Sequence, residues 1–249
     1  MANSTAGHTS STPDVDGSPT TLAQALLDAC RRGAPTDGYR TALAEATDED
    51  LRRVRTDRET ALAFWLNCYN AGTQILLDVC PGRYESPLRF VRFFRAPAVT
   101  VGGATLSLDR IENGLLRGSR SKYGLGYLPK VFVTAFERRY RLDDCDPRIH
   151  FALNCGAESC PAIRVYEPDR IDGQLDTATR QYLGTTVDYD PDAGVVRVPR
   201  VYLWFRGDFG GAAGIRAFLR RYDAIPDDAT PTLRYRSWDW SKAAGKFLS

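Results

Sequence analysis

The feature that most constrains the fold is a long stretch of the chain without charge. No charged residue occurs between Glu59 and Asp78, and most positions in that interval are large and apolar. The pattern predicts a helix over residues 57–79, which ends before Pro81 and Gly82. A helix that is apolar over most of its circumference must be covered by other elements. This helix is therefore predicted to be largely buried.

One narrow stripe of the same helix is polar or small. At about 100° per residue, Asn67, Asn70 and Gln74 fall on one side of the helix. Two interpretations stay open. The stripe faces solvent, although a solvent face of this length normally carries Lys, Arg or Glu. Alternatively, the carboxamides meet other buried polar groups, with which they must form hydrogen bonds. In that case they could orient a catalytic side chain or a substrate amide.

A second distinctive stretch is "HFALNCGAESCPAIR", residues 150–164. It contains one of only two histidines in the chain, and the other is His8. Residues 146–154 are predicted to form a strand, whose alternate residues share a face. Ile149, Phe151 and Leu153 would then enter the core, and His150, Ala152 and Asn154 would lie on the other face. Cys155 ends the strand, and the loop after it carries Cys160.

Three interpretations of this stretch stay open, and the first is a reactive thiol site. Imidazole near a thiol is the minimum for nucleophilic sulfur chemistry, because a histidine lowers the thiol pKa and can later protonate a leaving group. Asn154 or an asparagine of the long helix would hold the imidazole, as a third group does in catalytic triads. Alternatively, His150, Cys155 and Cys160 could supply three zinc ligands, although no fourth ligand has recognisable spacing. Finally, the thiols could simply pack in a structural loop.

The remaining pattern predicts an α+β protein. Helices are predicted at 21–32, from Ser86-Pro87, within 108–118, at about 169–183 and within 211–222, with capping boxes at 47–50 and 56–59. Gly102-Gly103 predicts a hairpin, residues 186–205 a hairpin with a further extended run, and residues 232–241 a strand with an aromatic tail. This mixture lacks regular βαβ alternation. We expect a single compact domain, in which several helices surround short hairpins or a small, mostly antiparallel sheet.

Composition narrows the possible partners. Residues 1–20 are rich in Ser, Thr, Gly and Pro, which predicts a disordered leader before a single domain at 21–249. The net charge is +2 and basic and acidic residues are interspersed, which argues against a nucleic-acid partner. No apolar segment is long enough to span a membrane. We expect a cytoplasmic protein, whose six cysteines stay reduced and form no disulfide framework.

In several blocks of its sequence, the chain resembles the family catalogued as domain-of-unknown-function family 547. The resemblance rests on blocks that occur in order and span about residues 55–241: "FWLNCYNAGT" (64–73), "VGGATLSLDRIENGLLRG" (101–118), "DPRIHFALNCGAESCPAIRVY" (146–166), "YLWFRGDF" (202–209) and "YRSWDWS" (235–241). It implies that Asn67, Asn70, His150, Cys155 and Cys160 are shared family positions. The family pattern has Ile-Glu-His where this chain has Asn113 after Glu112. If that family histidine were the base, His150 would take its role here, or activity would be altered or absent.

The leading hypothesis is a cysteine-nucleophile hydrolase or acyl transferase that acts on an amide or ester-like substrate, such as a small molecule or peptide. No metal and no cofactor are expected. The nucleophile is Cys160 or Cys155, with Cys160 preferred because the loop should expose it more. The assigned helpers are His150 as base and acid, Glu112 as a further acid or base, Asn67, Asn70, Gln74 and Asn154 as orienting or oxyanion groups, and Arg148 or Arg164 for an anionic group.

The alternative hypothesis is a non-catalytic protein-interaction or scaffold domain with a protein partner. In that case Trp238, Trp240 and the "YLWF" run would line a groove for the partner. The most informative observation is whether His150 and either cysteine converge on Asn67 and Asn70 in one pocket.

Overall fold

The structure is a computed structural model, which describes residues 17–79, 82 and 86–248. The protein is α+β, with two small sheets among many helices. Most of the predicted leader, together with His8, lies outside the described residues, as does Cys80. The first helix begins at Pro19, after Ser18 as its N-cap, so it includes the last two residues of the predicted leader.

The helices and strands follow one another along the whole described chain. The α-helices are α1 (Pro19–Arg32), α2 (Asp37–Ala44), α3 (Asp48–Thr56), α4 (Arg58–Val79), α5 (Pro87–Arg95), α6 (Ala135–Tyr140), α7 (Ile171–Thr186), α8 (Val201–Trp204) and α9 (Gly211–Arg221). The strands are β1 (Pro97–Val101), β2 (Ala104–Ser107), β3 (Asp188–Asp190), β4 (Val195–Val198) and β5 (Thr232–Tyr235). A π-helix spans Arg110–Leu116, and 3₁₀-helices span Pro147–Phe151 and Pro168–Arg170.

The two sheets have simple topologies. Strands β1 and β2 form the antiparallel hairpin that Gly102-Gly103 predicted. In the second sheet, β4 lies between β3, to which it is antiparallel, and β5, to which it is parallel. None of the helices in the described part of the chain has the length and apolar character needed to cross a bilayer.

Local capping signals explain where several helices begin and end. Helix α1 ends at Gly33, whose φ of 63° is the left-handed conformation that glycine adopts without strain. The capping box predicted at 47–50 is confirmed by Thr47 and Asp50. The box predicted at 56–59 is wrong. Thr56 still belongs to α3, and the Asp57 carboxylate instead accepts from Thr60 N at 2.8 Å.

Helix α4 lies at the centre of the first of two hydrophobic clusters. Helix α1 packs along it, and α3, β1 and the π-helix also contact it. Asn67 and Asn70 are completely buried and Gln74 nearly so, so the solvent-facing interpretation of the polar stripe is wrong. The stripe is buried because other elements cover α4 on its polar side as well.

The strand predicted at 146–154 is wrong, because this segment forms the 3₁₀-helix Pro147–Phe151. Asp146 caps that helix through a bond from Arg148 N, and Pro147 occupies its start. Every residue from 148 to 154 is buried, so the segment has no outward face. Ile149 packs in the first hydrophobic cluster and Phe151 in the second. His150 therefore lies between the two clusters.

The second cluster lies among α7, α8, α9 and the three-stranded sheet. Aromatic side chains form much of it, including Phe151, Tyr202 and Phe218. The extended run predicted after β4 is wrong, because residues 201–204 form α8. Pro199 begins that turn, and its carbonyl accepts from Tyr202 N at 3.2 Å.

Candidate active site

The backbone of the His–Cys stretch is held by carboxamides from α4. Asn70 Nδ2 donates to Ala152 O, and Asn70 Oδ1 accepts from Asn154 N, each at 3.0 Å. Asn67 pairs in the same way with the carbonyl and the amide of Tyr166, at 2.8 and 2.9 Å. The two bonds of Asn70 place α4 directly against this stretch. However, these carboxamides bond to backbone rather than to the imidazole, so they act as clamps.

Two further carboxamides act in the same way. Asn154 Nδ2 donates to Pro161 O and its Oδ1 accepts from Gly156 N, both at 2.6 Å. Gln74 Oε1 accepts from Gly245 N at 3.1 Å. Asn154 thus closes the loop that carries both cysteines, and its predicted role as partner of the imidazole is replaced by this one. We call Asn67, Asn70 and Asn154 the carboxamide clamps.

The clamped loop brings the two cysteines together. Cys155 Sγ lies 2.9 Å from Cys160 Sγ, and Cys155 N donates to Cys160 Sγ at 3.3 Å. Gly156, at φ 80°, makes the turn between them possible. The expectation that the loop exposes Cys160 more is wrong. Cys160 is 5% exposed, whereas Cys155 is only partly buried.

His150 belongs to a buried charge network. Its Nε2 lies 2.9 Å from Asp208 Oδ2. Arg117 forms two bonds to the same carboxylate, Nε to Oδ2 at 2.5 Å and Nη2 to Oδ1 at 3.0 Å. The His150 ring stacks on the Phe205 ring with a centroid separation of 4.0 Å. The Arg117 guanidinium carbon lies 4.6 Å from the centroid of the Phe205 ring. We call His150, Asp208 and Arg117 the charge network.

Burial and pairing fix the protonation of this network. Burial lowers the pKa of His150, and the bond to Asp208 opposes that shift only in part. Burial alone would raise the pKa of Asp208, but the hydrogen bonds from His150 and Arg117 outweigh it and lower that pKa. At neutral pH, His150 is therefore a neutral imidazole, whose Nε2–H donates to the Asp208 carboxylate.

The sequence interpretation missed Asp208 and Arg117. Asp208 is enclosed because two backbones approach closely, with Gly207 N donating to Leu125 O at 2.7 Å. A Cβ on Gly207 would lie 2.5 Å from the carbonyl carbon of Gly126, so only glycine fits there. The one available signal was an acidic residue inside the aromatic run "YLWFRGDF".

Glu112 stands on the π-helix and faces the same region. The Tyr69 hydroxyl donates to Glu112 Oε2 at 3.5 Å. Burial raises the pKa of Glu112 to about 7; nearby Asp109 and Asp208 add to this shift, whereas Arg117 opposes it. Glu112 therefore exchanges a proton near neutral pH, as an acid or base in catalysis must.

Asn113, the departure from the family pattern, supports the network from behind. Its Oδ1 accepts from Arg117 Nη1, and its Nδ2 donates to Asp109 Oδ1 at 3.2 Å. Asn113 is 6% exposed. It bonds to Arg117 Nη1, whereas Asp208 bonds to Nε and Nη2 of the same guanidinium. The residue at this position thus acts through Arg117.

One cavity joins the predicted chemical groups. Its volume is about 140 Å³. Glu112, His150, Cys155 and Cys160 all contribute to its wall. The remaining wall is mainly apolar and aromatic: Tyr69, Phe94, Leu153, Pro161, Val201, Trp204, Phe205, Trp238 and Trp240. We call it the aromatic cavity.

Two predicted anion-holding arginines lie elsewhere. Arg148 donates to the carboxylates of Asp146, Asp172 and Asp176, so its guanidinium is already occupied. Arg164 donates to Gln181 at the surface and borders larger hollows of about 480 and 510 Å³ that contain none of the four chemical groups. The structure brings neither arginine to the aromatic cavity.

A different trio from the predicted one has the spacing of metal ligands. Donor atoms of Cys145, His150 and Asp208 lie within 4.8 Å of one another. However, Asp208 already bonds to Arg117 and His150, and Arg120 adds positive charge 3.7 Å away. Burial, with Asp208 nearby, raises the pKa of Cys145 well above its usual value and keeps it a thiol. The arrangement fits an ion pair better than a cation site.

Comparison with known families gives one result. The family model described as "Protein of unknown function, DUF547" matches residues 54–183, which is more than half of the 249-residue chain. The chain belongs to this family. No curated protein and no solved structure matches it. The matched range contains Cys155, Cys160, His150 and Glu112, whereas Asp208 and the tryptophans of the cavity wall lie beyond it.

Proposed function

We propose that the aromatic cavity is the active site of a cysteine-dependent hydrolase or acyl transferase that acts on an amide or ester-like substrate. The observation that carries the proposal is that Cys155, Cys160, His150 and Glu112 all line this one cavity. A nucleophile, a base and an acid in one mainly apolar cavity are what acyl transfer requires.

Cys155 is the nucleophile in this proposal. It is more accessible than Cys160, which is 5% exposed. The sulfur atoms are 2.9 Å apart, so a Cys160 S–H that donates to Cys155 would stabilise negative charge there. This reverses the preference for Cys160 that loop position alone suggested.

His150 is the base, and Asp208 orients it. Because Nε2–H donates to Asp208, Nδ1 is the nitrogen that would accept the proton from Cys155. The imidazolium that forms would be stabilised by the buried Asp208 carboxylate. Asp208 and Arg117 act through His150, so they are positioning residues.

Glu112 would protonate the leaving group. Cys155 sulfur forms a bond to the acyl carbon, the bond to the leaving oxygen or nitrogen breaks, and that atom takes a proton from Glu112 or His150. Water, or an acceptor hydroxyl or amine, then releases the acyl group. With a pKa raised by burial to about 7, Glu112 can serve in both half-reactions.

The cavity wall limits the substrate. Its volume of about 140 Å³ is well below the roughly 300–1,000 Å³ of pockets that enclose drug-sized ligands. Three indole rings, those of Trp204, Trp238 and Trp240, pack with centroids 5.2 to 5.8 Å apart along the wall. We therefore infer that a small apolar acyl group enters the cavity, while the remainder of the substrate stays outside.

The proposal is tested with a small activated ester, p-nitrophenyl acetate. We expect a burst of p-nitrophenol that does not exceed one equivalent, with the acetyl group mapped by mass spectrometry to Cys155. Cys155→Ser should abolish that adduct, because a serine hydroxyl is far less nucleophilic at neutral pH. The matched control is Cys30→Ser, which removes a thiol whose pKa burial raises to about 11 and should keep the burst. An adduct elsewhere, or an unchanged burst in Cys155→Ser, would contradict the proposal.

A protein-interaction domain is the second candidate function. The observation that favours it is a segment with exposed apolar side chains, where Val131 and Phe132 are 88% and 86% exposed. The tryptophans that would line a partner groove under this hypothesis instead line the aromatic cavity beside the cysteines. Phe132→Ser should leave acylation of Cys155 unchanged, which separates this surface from the enzymatic proposal.

A further inference from the structure

We propose that Cys155 and Cys160 form a reversible disulfide when a low-molecular-weight disulfide reaches the loop. Their sulfur atoms lie 2.9 Å apart, less than about 1 Å beyond a covalent S–S bond of about 2.05 Å. The two side chains already point at each other, so a bond between them needs little movement.

The loop between the two cysteines holds their sulfur atoms close together. Gly156 turns the chain with φ 80°, and Cys160 N donates to Ala157 O at 3.0 Å. Asn154 bonds to Gly156 N and to Pro161 O, which fixes both ends of the loop. Because the clamp fixes the backbone on both sides, closing the disulfide leaves the surrounding fold in place.

Both cysteines border cavities. Cys155 and Cys160 line the aromatic cavity, and Cys160 also lines a hollow of about 320 Å³ next to Tyr182 and Lys246. By contrast, Cys68 is completely buried, and burial raises its pKa far above the usual thiol range. Access and mutual approach thus coincide at this pair.

The reaction is a two-step thiol–disulfide exchange. The Cys155 thiolate attacks one sulfur of the small disulfide RSSR, which forms a Cys155–S–S–R bond and releases RS⁻. The Cys160 thiolate then attacks Cys155 sulfur, and the second RS⁻ leaves. The two protons of the dithiol pass to the two RS⁻ groups, so two electrons move from the protein to RSSR, which becomes two RSH.

The disulfide would also regulate the site. It removes the Cys155 thiolate that attacks the acyl carbon, so acyl transfer stops until a small thiol restores the dithiol. This regulatory part rests on the proposed function, whereas formation of the disulfide does not.

The experiment uses the full chain and glutathione disulfide as the probe. After exposure, open thiols are blocked with N-ethylmaleimide, and the chain is digested with trypsin without reduction. The tryptic peptide from Ile149 to Arg164 contains both cysteines and no internal Lys or Arg. We expect this peptide to lose two hydrogens and take up no N-ethylmaleimide, and we expect dithiothreitol to reverse both changes.

Two variants test the order of the steps. Cys160→Ser should stop at the first step and carry one glutathionyl group on Cys155. Cys30→Ser, the matched control, should form the same internal disulfide as the wild type. A wild-type peptide with two N-ethylmaleimide groups after exposure would overturn the inference. A Cys160→Ser chain without glutathione at Cys155 would overturn the assigned order.

Acetylation by p-nitrophenyl acetate, measured on the same samples, separates the two proposals. If Cys155 is acetylated but the chain forms no disulfide, the inferred disulfide is wrong and the proposed function stands. If the disulfide forms but the reduced chain is never acetylated, the proposed function and its regulation are wrong. The inferred disulfide then stands by itself.

Discussion

The carboxamide clamps and the charge network are both buried polar groups, yet they differ in what they can do. Asn67, Asn70 and Asn154 are 0% exposed and neutral, and their bonds are to backbone amides and carbonyls. The side chains of His150 and Asp208 are equally enclosed, but they carry or exchange charge, and His150 lines the aromatic cavity. A clamp keeps the same bonds at every pH, whereas the network changes with each proton.

The difference teaches how to interpret a buried polar residue. A hydrogen bond to backbone satisfies both partners and stabilises one backbone path, which by itself indicates structure. A buried titratable group with a shifted pKa has a cost in one protonation state, and it becomes a candidate for chemistry where it also lines a cavity, as Glu112 does. Here α4 supplies two of the three clamps, Asn67 and Asn70, and the second kind comes from elements far apart in sequence.

The largest expected effect comes from breaking the charge network. Asp208→Ala leaves the Arg117 guanidinium, which is 0% exposed, without its carboxylate. We expect a loss of about 3–5 kcal/mol in the free energy of unfolding, because an uncompensated charge stays buried. Urea unfolding measures it. Adding Arg117→Met should recover part of the loss, and a single-variant loss below about 1 kcal/mol would show that the network is not tightly coupled.

A smaller loss is expected from opening one clamp. Asn70→Ala leaves Ala152 O and Asn154 N buried without their partners. Each unsatisfied neutral group costs about 1–2 kcal/mol, the lower part of the usual range, so we expect a loss of about 2–4 kcal/mol for the two groups, also by urea unfolding. The matched control, Gln181→Ala, removes an exposed carboxamide and should cost less than about 0.5 kcal/mol. Equal effects of the two substitutions would contradict the clamp.

The smallest effect depends on pH and concerns Glu112. Its pKa is raised to about 7 in the folded chain, from about 4.3 in an unfolded one. Between these values the folded state binds the additional proton, so stability falls as pH rises through this window and is level above it. Glu112→Gln should remove that fall, on the order of 2 kcal/mol between about pH 5 and about pH 8.

Urea unfolding at several pH values checks this prediction against a matched control. Glu45→Gln removes an exposed carboxylate and should follow the wild-type pH profile. If Glu112→Gln also follows that profile, Glu112 ionises as in solution, and its proposed role as acid and base is lost.

Several elements were predictable because their signals are local. A helix N-cap such as Thr47, a C-terminal Gly33 and the Gly102-Gly103 hairpin act over four or five residues. The uncharged interval of α4 likewise predicted a buried helix. By contrast, residues 146–154 were wrongly assigned to a strand, because burial of every residue from 148 to 154 removes the alternation that distinguishes a strand from a turn.

By itself, the sequence determined the α+β class, the central helix and the residue types of the site, because those follow from short-range periodicity, capping and composition. Only the tertiary structure decided which groups meet. Asp208 is 58 positions from His150 and 91 from Arg117, and Glu112 reaches the cysteines only through the packing of the π-helix on α4. It also decided that Cys155 is more accessible than Cys160 and that the asparagines bond to backbone. Such contacts arise from how separate elements pack together, and no local pattern encodes them.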